Sequence, residues 1–140
     1  VLANYAEFLL LHRSLGQAQA RLREAARLVV EGRSEVDLPV ALGMLWIGCA
    51  LALSSETTTA RYVGAIKGVL ATEAFEPSWQ FDDLVSWAKD ALPQSLEFLA
   101  ELANACSRRS DATSLERFPV WQTAKPSSLI DGMRAILGGD

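Results

Sequence analysis

The chain has 140 residues, 50% hydrophobic and 21% charged, a balance that excludes intrinsic disorder and suffices for one domain to bury a core without disulfides or metal. Its formal net charge of −4 argues against nucleic acid as a partner, since a polyanion selects basic surfaces. Cys49 and Cys106 lie far apart in apolar segments with no CxxC or metal-ligand spacing, so they read as buried free thiols of a reducing compartment, and a cytoplasmic location is expected.

In chain order, Leu2, Tyr5, Ala6 and Leu9 recur at three- and four-residue steps, which places them on one face of a helix over 2–13. Ser14 and Gly16 interrupt the pattern. Ala18, Leu22 and Ala25 then form a second stripe on a helix over 17–31, with Leu15 in the turn where it plugs the open end of the hairpin. Ala6, Ala18 and Ala25 are small because two helices joined by so short a turn must approach closely at their crossing.

This spacing resembles the tetratricopeptide repeat over about one unit of 34 residues. Tyr5-Ala6 falls at that family's large-then-small pair and Leu9 at a bulky position. Leu15 falls at the turn aromatic, Ala18 at the most typical alanine, and Leu22 and Ala25 at the pair closing the second helix. Asn4 fits a position where asparagine is common. Leu2 stands in place of the usual tryptophan, Arg13 in place of a turn glycine and Val30 in place of the helix-ending proline. A shift of 42 positions lays Ile47, Gly48, Leu51 and Ala60 on Tyr5, Ala6, Leu9 and Ala18, but Gly64 and Lys67 on Leu22 and Ala25, so a second copy is degenerate. Helical spacing along the chain predicts an all-α fold of about seven helices, and the resemblance implies that antiparallel helical hairpins stack as a short right-handed α-solenoid.

Gly32 and Ser34 end the second helix and Asp37 is placed to cap the third. From Leu38 to Ser55 no residue carries a formal charge. Pro39, Gly43, Gly48 and the closing serines, with no basic flank, make a helix over 38–54 a buried core element surrounded by neighbours, and a membrane span is not expected. Ser55 and Thr57, Thr58 and Thr59 mark a break before a helix over 58–72. Within it Gly64 and Gly68, one turn apart, predict close approach of a neighbouring helix; the run Gly64 to Gly68 lacks the strand–loop–helix context of a phosphate loop.

Glu76-Pro77-Ser78 breaks the chain again, and Asp82 and Asp83 occupy the first turn of a helix over 79–91. Pro93 either opens a new helix over 94–107 or kinks a continuous one. Acidic residues dominate 73–101, where Lys89 is the one basic residue, while Arg13, Arg21, Arg23, Arg27 and Arg33 make the first hairpin comparatively basic, and both read as solvated helix faces of opposite sign. Beyond Cys106 polar runs and two prolines predict an extended connector anchored by Phe118, Val120 and Trp121, then a helix over 127–137 capped by Ser127 or Ser128. The expected organisation is a helical-hairpin repeat domain over 1–107, with 108–140 as the connector and a C-terminal capping helix packed on the same domain.

Catalytic chemistry finds no support. His12 is the single histidine, so a Ser-His-Asp arrangement would pass through it, and its place near a helix end suits a cap-region side chain instead. Glu73, Glu76, Asp82 and Asp83 have no calcium-loop or ExxH spacing and read as a solvated corner. No metal, cofactor or enzyme activity is expected. Trp46 reads as core, and Trp79, Trp87 and Trp121 as gap fillers between hairpins or an aromatic contact surface.

The function expected is a protein–protein interaction module, scaffold or regulatory. Val1, standing in mid-pattern with no initiator methionine, predicts a fragment of something larger. If the repeat resemblance holds, Asn4, Glu7, Leu10 and Leu11 line a concave wall that receives a protein or peptide partner, because they lie off the stripe packed on the second helix. The alternative is a small-molecule-sensing helical domain of a regulatory protein, with a pocket near Trp46.

Overall fold

Helical spacing is realised throughout the computed structural model, which describes residues 15–32, 38–72, 81–108 and 112–137. Among these residues there are seven α-helices and no strand. They are α1 (Leu15–Val30), α2 (Leu38–Ala52), α3 (Glu56–Thr72), α4 (Asp82–Ala91), α5 (Leu96–Arg108), α6 (Pro119–Thr123) and α7 (Leu129–Leu137). Short 3-10 turns cover Pro93–Ser95 and Ala112–Arg117.

All seven helices contribute to one buried apolar core. The expected stripe of α1 is buried at Ala18, Leu22 and Ala25, joined by Ala26 and Val29, and it packs against α2 and α7. The hairpin partner expected over 2–13 lies outside the described residues. α2 forms the centre: every residue from 40 to 50 is buried, as a helix apolar on all sides requires. Its most extensive partner is α3, and it also meets α1, α4 and α7. Among the described residues no helix is long and apolar enough to cross a membrane.

The contact between α1 and α7 joins the first and last described elements. In a stack of hairpins contacts run chiefly between neighbours in sequence, whereas α1 and α7 are distant in sequence. The physical reason is that α7 carries an apolar face, with Leu129 and Met133 buried, and the stripe of α1 is the surface that covers it.

The second layer is the α4–α5 hairpin. Leu92 leaves helical geometry at φ −136° and ψ 57°, and Pro93 starts the 3-10 turn, so the proline opens a new helix instead of kinking one. Against α5 lies the 112–117 turn, held by exposed groups: Arg117 pairs with Glu97 at 3.3 Å and Glu101 at 3.6 Å, and the Ser114 hydroxyl donates to Glu101 at 2.8 Å. Part of the expected acidic edge is thereby used internally. Phe98 and Phe118 meet edge to face, their centroids 5.4 Å apart, beneath this network.

The extended connector is corrected: residues 112–117 and 119–123 are helical, leaving 124–128 extended. Pro119 supplies a first helical residue that needs no amide partner, and Leu115 and Trp121 are buried as the two turns fold down. The glycine expectation is corrected too. What approaches Gly64 and Gly68 is the extended 124–128 segment and not a helix, and a methyl at either glycine would overlap the carbonyl oxygen of Lys125 or Ser127. The Ser127 amide donates to the Gly64 carbonyl at 3.1 Å. Lys67, on the same helix, donates to the Trp121 carbonyl at 2.8 Å and the Ala124 carbonyl at 3.3 Å. This strap carries the chain from α6 to α7.

Candidate functional site

The chain reverses between α2 and α3 in three residues, and two cavities open beside that reversal. Ser55 donates its amide to Ala50 at 2.9 Å and Ser54 donates to Leu51 at 3.1 Å, the bond pair of a helix end closed by one left-handed residue. That residue is Ser54, at φ 57°, where a side chain other than glycine is strained. Ser55 then starts α3: its hydroxyl accepts from the Thr58 amide at a long 3.4 Å, and its carbonyl accepts from the Thr59 hydroxyl at 2.8 Å. Between them Leu53 is pushed outward, 49% exposed, the one large apolar side chain so exposed among the described residues.

The first cavity, of about 120 Å³, lies where α1, α2 and α3 converge. Each helix contributes residues one turn apart: Gln19 and Arg23, Trp46 and Ala50, Thr58 and Tyr62. Leu53 and Ser55 close it from the turn. Trp46 and Tyr62 stack with centroids 5.9 Å apart and planes 16° from parallel, and the Arg23 guanidinium stands 5.8 Å from the Trp46 ring centroid. The Tyr62 hydroxyl is spent in the core, donating to the Gly132 carbonyl of α7 at 2.9 Å. Burial pushes this hydroxyl well above its ordinary value, and the nearby Arg61 and Arg23 charges oppose that shift. No carboxylate lines the cavity among the described residues. The Trp46 Nε1–H is buried without an acceptor there.

The second cavity, of about 420 Å³, is an apolar groove on another face of α3. Ala50 and Leu51 of α2, Ala60 of α3, and Pro119 and Val120 of α6 supply its walls. Ser54, Glu56, Thr59 and Thr123 place polar groups around it.

Of the residues singled out in the sequence, Asn4, Glu7, Leu10, Leu11 and His12 lie outside the described residues, as do Glu73, Glu76 and Trp79. Asp82 and Asp83 are exposed in the first turn of α4. Among the described residues no group of His, Cys, Asp or Glu is placed to hold a metal ion. Cys49 and Cys106 are free and buried, and burial pushes both thiols from 9.0 up to about 12. Neither is poised as a nucleophile near neutral pH, because the thiolate is the reactive form. Gln19, Arg23 and Thr58 were not visible as site residues in the sequence. Their signal is polar chemistry flanking an apolar stripe, which becomes a cavity only through the rotation of three helices about one another. Searches against protein-family models, curated proteins and solved structures find no match to this chain.

Proposed function

We propose that this chain is a polypeptide-recognition module of scaffold or regulatory type, which receives an apolar side chain of its partner in the groove between α2, α3 and α6. The observation that supports the reading is the pairing of an apolar groove of about 420 Å³ with the exposed Leu53 in the turn beside it. Surface apolar area that the fold leaves uncovered beside a concave wall is what a partner side chain fills. The resemblance of residues 2–30 to a tetratricopeptide repeat in sequence supports the same class of function, with Asn4, Glu7, Leu10 and Leu11 proposed as a second contact wall.

The test uses peptides selected from a random display library against the whole chain. Ala60 is exposed at the groove, so Ala60→Glu alters its lining at little cost to the core, and Val120→Asp, at a half-buried residue that also packs against the core, is compared only once circular dichroism shows it folded. Each is expected to weaken a selected peptide about tenfold or more, the loss of one well-placed apolar anchor. Unchanged affinity in both would overturn the groove, and sensitivity to Glu7→Lys with Leu11→Asp alone would move the contact to the first helix.

A further inference from the structure

The smaller cavity is chemically unlike the groove. It combines one guanidinium, a side-chain amide, two hydroxyls from the start of α3 and an indole N–H, against an apolar remainder from Ala50 and Leu53. Each polar group named is a donor to an oxyanion: Arg23 through its planar fork, Gln19 through its amide, Ser55 and Thr58 through hydroxyls, Trp46 through Nε1–H. Among the described residues Arg23 has no carboxylate partner, whereas its neighbour Arg21 pairs with Glu24 at 2.7 Å. Trp46, Trp87 and Trp121 each bury an indole N–H without an acceptor among the described residues. Of the three only Trp46 lines either of the two cavities. Among the described residues, an arginine without a carboxylate partner and the tryptophan on which its guanidinium stands therefore line one cavity.

We propose that the Arg23–Trp46 cavity is a binding site for the carboxylate of a small organic acid. A single cation at the lining matches a monoanion better than a doubly charged phosphate, and a fork-shaped guanidinium matches the two coplanar oxygens of a carboxylate. Ala50 and Leu53 receive the acid's apolar body. At about 120 Å³ the space holds a short or single-ring body and excludes a polymer. The site shares Ala50 and Ser55 with the peptide groove but takes its polar groups from another face of α3 and the flank of α1, so Arg23→Gln tests it without altering the residues particular to the groove.

The test follows the Trp46 indole proton by nuclear magnetic resonance in the full chain, its signal assigned with Trp46→Phe. Benzoate is titrated beside benzamide, which has the same body without charge, and inorganic phosphate, which has charge without a body. Benzoate is expected to move the indole signal saturably downfield as Nε1–H gains an acceptor, with benzamide and phosphate each at least about tenfold weaker. Arg23→Gln is expected to weaken benzoate by about tenfold or more, and Arg21→Gln to leave it unchanged. Should Arg23→Gln not fold, Arg23→Lys keeps the charge and loses the fork, and benzoate is expected to bind it several-fold more weakly. A missing benzoate response, equal affinity for benzamide or phosphate, or parent-like binding by the folded Arg23 variant would each overturn the proposal.

Discussion

The α2–α3 hairpin is finished differently along its flank and at its turn. Along the flank α3 has no side chain at Gly64 or Gly68, so the 124–128 strap lies directly on the helix and bonds to it through Ser127 and Lys67. At the turn the same hairpin leaves space: a strained Ser54, an outward Leu53 and two cavities sharing Ala50 and Ser55. Close packing on the flank fixes the geometry of the open end, because α3 cannot rotate without driving side chains into the strap. Strain and unfilled volume gather where binding is proposed.

The comparison is broken most severely at the glycines. Gly64→Ala improves helix propensity by about 1 kcal/mol, yet the added methyl overlaps a backbone carbonyl that has no rotamer to escape into. A net loss of about 2–3 kcal/mol is expected by chemical denaturation, and a stabilised variant would show that the strap does not rest on this face. Tyr62→Phe comes next. It removes the donor that ties α3 to the Gly132 carbonyl of α7 and should cost about 0.5–1.5 kcal/mol; an unchanged denaturation midpoint would mean that α7 is not held to α3 by this bond. The smallest effect has the opposite sign. Ser54→Gly relieves the left-handed conformation at the open end and is expected to stabilise by about 0.5–1 kcal/mol. Destabilisation there would remove the contrast between a strained turn and a relaxed flank.

These differences also explain what was legible in the sequence. Gly32, at φ 72°, ends α1 as its residue type announced, and Ala18, Leu22 and Ala25 are buried as their spacing required. The neutral run after Leu38 became the central helix, since a helix apolar on all sides has one stable place in an all-helical fold. Pro93 divides α4 from α5 for a reason local to one residue. By contrast, nothing near Gly64 in the chain announces residues 124–128, and the glycines implied only that something comes close. The closure of α1 on α7 was hidden for the same reason, as a stripe declares that it will be covered and does not name the cover. Ser54 was hidden because serine is not the residue that a left-handed helix end favours. The Arg23–Trp46 cavity depends on three helices at once, so no single periodic segment contains it.

The pairing of α1 with α7 has a consequence in time. The apolar stripe of α1 is synthesised early, and the helix that covers it follows only after α2 to α6 have been made. The α2–α3 and α4–α5 hairpins can form from neighbours in sequence, while closure of the bundle must wait for residues 129–137 to leave the ribosome. Until then Leu22 and Val29, buried in the finished fold, have no cover from α7. A nascent chain halted before that point has the stripe covered by α2 but not by α7, and its last cover is a nine-residue helix.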